Sequence, residues 1–194
     1  MVVIAVILLT GGDVPLIDGP DGSSGFSFQL GKVQAAPITR TPAAELHEVA
    51  QEAGAGVKET MDELFFRAFV DQGSWGDYGT AFELFESTAA ARAESDQEVL
   101  TLGSTASDEL ESIEAPSGTL TISVLTNRQD EPVSAVADIE FEATVQAAGG
   151  GTSQVVSVGS FFLRQVEGAW RIFAYDIDRD DVETSGPSPT GSPS

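Results

Sequence analysis

The chain has 194 residues, 41% of them hydrophobic, with a mean hydropathy of +0.02, so one domain with flanking segments and a real core is expected. Thirty-one acidic residues against nine basic ones leave a formal net charge of −22, which repels phosphate backbones and excludes a nucleic-acid footprint or a polybasic attraction to anionic lipid. The absence of cysteine excludes thiol nucleophiles, thiolate metal sites, disulfides and a lipidated cysteine, and nothing in the pattern implies a cofactor.

Residues 1–12 open with an unbroken apolar run, Val2 to Leu9, read as an anchor or signal remnant. Eight apolar residues are too few to cross a bilayer, which takes about 20, and no basic segment precedes them. The expectation is the end of a membrane helix whose beginning lies upstream; a short signal core and a frayed apolar strand are the alternatives. Either of the first two places the domain outside the cytoplasm, secreted or membrane-anchored, with membrane contact only through this segment. Residues 13–41 read as linker, rich in glycine with Pro15, Pro20 and Pro37. Within it Phe26, Phe28 and Leu30 alternate, which allows a short strand.

Residues 42–182 read as a single α+β domain. Thr41-Pro42 is a helix start, with an N-cap hydroxyl and a proline at the first helical position. Leu46, Val49, Ala50, Ala53, Val57, Met61, Leu64, Phe65, Ala68 and Phe69 then draw a stripe at spacings of three and four. Gly54 and Gly56 weaken its middle by about 1 kcal/mol each, so a kink or break is expected there, and Gly73 is a stop. A second helix is expected from Thr80-Ala81-Phe82-Glu83, which has capping-box spacing, to Arg92. A third runs from Ser95-Asp96-Gln97-Glu98 to Leu102-Gly103.

From Thr119 the hydrophobic period becomes two. Residues 119–126, 133–147, 154–166 and 169–180 read as four sequential strands with short turns, an antiparallel meander. On 133–147 one face is apolar and the other carries Asp138, Glu140 and Glu142. The final residues, 183–194, hold no side chain large enough to anchor a core and are expected to be a disordered tail.

Helices followed by a long-stranded meander that closes on Glu167-Gly168-Ala169-Trp170-Arg171-Ile172 resemble the nuclear-transport-factor-2-like superfamily, the cystatin-like α+β fold. The resemblance spans residues 42 to 181 and rests on a short motif. It implies N-terminal helices packed on a curved four-stranded antiparallel sheet, a cone with an open end. The apolar start and linker make the layout similar to membrane-tethered bacterial members of that superfamily, often accessory or transport-associated proteins. Enzymatic relatives use acid–base groups inside the cone, and the resemblance makes Tyr78, Asp138, Tyr175 and Asp176 the matching catalytic candidates.

The residues themselves favour a non-catalytic role. His47 is the only histidine, which rules out a multi-histidine metal site and leaves a Ser-His-Asp triad only this residue, read as an exposed position near the start of the first helix. Asp176, Asp178 and Asp180 alternate at a strand end and offer oxygens suited to calcium, without the glycine and terminal glutamate of an EF-hand; a solvated acidic strand end is the plainer reading. Phe65, Phe69, Trp75, Phe82 and Phe85 are either ligand-pocket lining or simple core. Phe161 and Phe162 are consecutive and so face opposite sides of the sheet. Val156, Val158 and Phe162, with Phe173 and Tyr175 if they share the outer side, suggest a homodimer through that face. The function expected is a membrane-tethered extracytoplasmic domain that binds a protein or a small apolar ligand, and the alternative is a small isomerase- or hydratase-like enzyme.

Overall fold

A computed structural model describes residues 26–37, 41–42 and 44–185. The apolar run at Val2 to Leu9, most of the expected linker and residues 186–194 lie outside that set. The fold is α+β: helices cover one face of a five-stranded mixed sheet in the order β1-β2-β3-β4-β5. The strands are β1 (Gln29–Pro37), β2 (Leu110–Thr126), β3 (Pro132–Ala147), β4 (Thr152–Val166) and β5 (Ala169–Ser185). β2 to β5 form the expected antiparallel meander, each pairing with its sequence neighbour.

The expectation of a four-stranded sheet is corrected by β1, which lies inside the stretch read as linker. It pairs parallel with β2, Gln29 opposite Thr119 and Pro37 opposite Thr126. Two observations explain why this glycine-containing segment is a strand. Phe26 and Phe28 just before it are buried at 9% and 2% exposure. Asp62 then fixes the entry, accepting the Phe28 backbone N–H and the Ser27 hydroxyl, each at 2.8 Å. Two strand ends also move outward. β2 begins at Leu110 rather than Thr119, with irregular pairing between Glu114 and Ser117, and β5 runs through residues 183–185, which were expected to belong to the tail.

Helix α1 spans His47–Phe65, not residue 42 onward. The Thr41 hydroxyl donates to Asp130 at 3.0 Å instead of capping a helix, and Pro42 accepts from Glu45 in a turn. The helix runs unbroken through Gly54 and Gly56, where a kink or break was expected, and both glycines serve close packing. A Cβ on Gly54 would lie 2.8 Å from Val33 Cγ1 on β1, and one on Gly56 would lie 2.8 Å from Trp170 Cδ1 on β5. Helical propensity is sacrificed so that α1 can press onto both edges of the sheet. Beyond Phe65 the chain widens into a π-turn, Phe66–Val70, closed by Asp71 N–H donating to Phe66 O at 2.8 Å.

The expected second helix divides into α2 (Gly79–Phe82) and α3 (Ser87–Ser95). Between them Leu84 to Glu86 is drawn onto the β5 edge: Ile172 N–H donates to Leu84 O, and Glu86 N–H donates to Ile172 O. Sheet pairing outweighs the local capping signal there. Helices α4 (Gln97–Leu100) and α5 (Ala106–Glu109) complete the layer. The core lies between this layer and the inner sheet face, where Leu120, Ile122, Val124, Ala137, Phe141, Phe161, Leu163 and Ile172 are almost fully buried.

Candidate functional site

The apolar stripe of α1 and the inward positions of the sheet meet in a packed aromatic interior. Phe65 stands against Phe28, Phe69 and Phe141 with ring centroids 4.8, 5.3 and 5.0 Å away. Phe85 sits among Phe82, Phe161 and Tyr175 at 6.0, 6.5 and 5.9 Å. The Trp75 indole N–H donates to Phe69 O at 2.8 Å in a buried position, satisfying a carbonyl of the π-turn. Phe65, Phe69, Trp75, Phe82 and Phe85 are thus core residues, each no more than 7% exposed.

The four catalytic candidates do not converge. Tyr78 and Tyr175 are buried, while Asp138 and Asp176 stand exposed on the opposite face of the sheet. The Tyr78 hydroxyl donates to Gly103 O at 3.1 Å, and burial pushes its acidity below that of an ordinary phenol, raising its pKa. The Tyr175 hydroxyl donates to Asp96 at 2.8 Å; burial first, and then the Asp96 carboxylate, raise its pKa well above the usual tyrosine range. Both phenols therefore stay protonated and are already engaged. The guanidinium of Arg92 lies 4.5 Å over the Tyr175 ring and completes a clamp between α3 and β5. His47 is exposed at the first residue of α1.

Asp176, Asp178 and Asp180 all point outward from β5, about 6.7 Å apart along the strand. Among the described residues no group of three or more His, Cys, Asp or Glu side chains could hold a metal ion. Their significance emerges instead from the register. Asp138 of β3, Ser160 of β4 and Asp176 of β5 form one row across the sheet. Glu140, Val158 and Asp178 form the next, and Glu142, Val156 and Asp180 the third. Two columns of three carboxylates consequently flank a central strip in which Val158 is 46% exposed.

No basic side chain compensates these six among the described residues. The ion pairs lie elsewhere: Lys58 with Asp62, Arg67 with Glu63, Arg92 with Asp96, Arg164 with Glu86, and Arg179 with Asp181. Only neutral donors approach the columns. The Ser160 hydroxyl donates to Asp138 at 2.6 Å, and Ser117 and Gln154 reach Glu142 at 3.3 Å each. Neighbouring carboxylates along a strand are closer than the Debye length of about 8 Å at physiological salt, so salt screens their mutual repulsion only in part. Beside them the irregular pairing of β2 opens a groove of about 510 Å³, lined in part by Gln29, Ser117, Thr119, Glu140, Val156 and Val158.

Of the apolar set expected on this face, Val156, Val158, Phe162 and Phe173 are there, and Tyr175 faces inward. Phe162 and Phe173 make a separate patch beyond the carboxylates, with the Arg164 guanidinium 5.5 Å over the Phe173 ring. At the opposite end of the inner face, Glu98, Leu102, Glu109, Val155, Arg179 and Asp181 border a second cavity of about 390 Å³. Arg179 is spent on structure there. With its side chain 10% exposed, it grips Asp181 through two nitrogens and donates to the carbonyls of Glu98 and Thr101. The alternation along β3 and β5 was readable in the sequence; the pairing that sets the two acidic columns side by side was not.

Among the described residues no helix is long and apolar enough to cross a membrane. Comparison with protein-family models, with curated proteins and with solved structures finds no match to this chain.

Proposed function

We propose that this chain is a non-catalytic binding or interaction domain of the nuclear-transport-factor-2-like, cystatin-like kind, held outside the cytoplasm by its N-terminal segment, with the outer sheet face as its contact surface. The observation that carries this reading is the aromatic packing of the interior, which among the described residues leaves only the polar-lined recess beside Arg179 at its end. A small-molecule enzyme or carrier of this architecture needs a concave apolar site with at least two convergent polar groups. Here aromatic rings occupy the space between helices and sheet, and the two buried phenols are bound to Gly103 and Asp96. The isomerase- or hydratase-like alternative would need Asp138 or Asp176 beside them, and both are on the far side of the sheet. A cone formed by this sheet would accordingly be a scaffold that presents its outside.

The test is a titration of isotopically labelled protein with cyclic enones and steroid-like ketones, followed by amide and aromatic NMR shifts. The reading expects no saturable change at Phe65, Phe85, Phe141 or Phe161. A saturable shift of those rings, or turnover of any such compound, overturns it. The extracytoplasmic placement is tested separately by protease treatment of intact cells, and full protection until the cells are lysed would refute it.

A further inference from the structure

We infer that the carboxylate-flanked valine strip on the outer face of β3, β4 and β5 takes an extended cationic polypeptide segment, one carrying Lys or Arg at alternate positions. This rests on the proposed reading of the domain as an interaction module and names its partner's chemistry. Three rows repeat along the strip, each with a carboxylate on β3 and another on β5. Their spacing of about 6.7 Å is that of residues i and i+2 in any extended chain, so a guest strand lying over β4 stays in step with the rows.

Side-chain reach fits the same guest. Each acidic column lies about 4.8 Å to one side of β4. Lysine stems directed at the sheet would cover Val156 and Val158 while their ammonium heads turn sideways onto the carboxylates. The groove beside Glu140 and Glu142 gives the guest a recess at one end. Charge decides against the other occupants. Nucleic acid and anionic lipid are repelled. A second copy would bring six carboxylates from each face together against few bases on that face, Lys32 two strands away in the Asp138 row and Arg164 already paired with Glu86. A divalent ion would need a tighter set of ligands than this grid provides. The chain has also used five of its bases in ion pairs elsewhere, which leaves these acids uncompensated.

The experiment uses the full chain and a fluorescein-labelled peptide, Lys-Ser-Lys-Ser-Lys-Ser-Lys, followed by anisotropy at about 150 mM salt, where diffuse attraction is screened. Glu140→Gln with Asp178→Asn removes one row of the grid. Glu48→Gln with Glu52→Gln removes the same charge from exposed positions on α1. Equal urea midpoints establish that both variants fold. The expected result is a loss of about tenfold or more in affinity for the sheet variant and under about twofold for the helix variant. A peptide of the same composition with its lysines contiguous should bind about fivefold more weakly, since it loses the register.

Equal weakening by the two variants would reduce the attraction to net charge and overturn the inference. So would absence of binding at about 1 mM peptide. Light scattering that shows a stable dimer burying this face would overturn it in favour of a second copy. None of those failures touches the interaction-domain reading, which falls if the aromatic interior takes a ligand or the protein turns one over.

Discussion

Replacing Gly54 with alanine sets two effects of known size against each other. In a helix interior the change should stabilise by about 1 kcal/mol through propensity. Here the new Cβ would sit 2.8 Å from Val33 Cγ1 and 3.2 Å from Cγ2. Valine is stiff about χ1, so it cannot swing away, and overpacking of this kind costs about 1–3 kcal/mol. The clash wins, and Gly54→Ala should destabilise by about 1 kcal/mol net. Val33→Ala alone removes two half-buried methyl groups and should cost a similar amount, about 1 kcal/mol.

The double variant distinguishes the contact from its parts. With both Cγ atoms gone the nearest remaining atom, Val33 Cβ, is at 3.6 Å, an ordinary contact. The propensity gain is then realised, and the double variant should be close to the parent in stability. That corresponds to a favourable coupling of about 1–3 kcal/mol. Urea unfolding of the four proteins by far-ultraviolet circular dichroism measures it, with equal m-values as the condition. Additivity within about 0.5 kcal/mol would refute the docking of β1 against α1 and with it the fifth strand.

Arg179→Lys keeps the charge but loses the planar fork that holds Asp181 and the carbonyls of Glu98 and Thr101, and should cost about 2–3 kcal/mol with faster amide exchange across residues 98–103. A loss below about 0.5 kcal/mol would show that the guanidinium is dispensable. Asp96 has its carboxyl pKa lowered from 3.8, chiefly by the Tyr175 hydroxyl and then by Arg92. A lowered native pKa contributes stability that is present above the unfolded value and lost as pH falls through the native one. Asp96→Asn should therefore lower Tm at neutral pH, and the gap to the parent should close as pH drops below 3.8; a gap that stays constant down to about pH 2.5 would contradict that linkage.

The meander was legible because each strand announces itself by alternation over eight residues or more and pairs with its neighbour in sequence. β1 was not. It has no hairpin partner nearby, it contains Gly31 and ends at Pro37, and its parallel mate lies about 90 residues away, so no local pattern connects them. Thr80-Ala81-Phe82-Glu83 misled in the opposite way: the capping signal was present, yet Leu84 to Glu86 gained more from hydrogen bonds to Ile172. Gly54 and Gly56 looked like weak points in a helix because the atoms that require them, on Val33 and Trp170, are remote in sequence. The acidic grid escaped for a related reason. Asp138 and Asp176 become row-mates only once the β3–β4 and β4–β5 registers are known.

The parallel pairing of β1 also dictates an order of assembly during synthesis. Gln29 leaves the ribosome about 90 residues ahead of Thr119, a wait of roughly 5 to 18 s at ordinary translation rates. Throughout that interval Phe26, Phe28 and the inward side of β1 have nothing to pack on except the nascent α1. Among the described strands β1 is made first yet has no strand to pair with until β2 is complete, so those rings wait on the second strand for their cover.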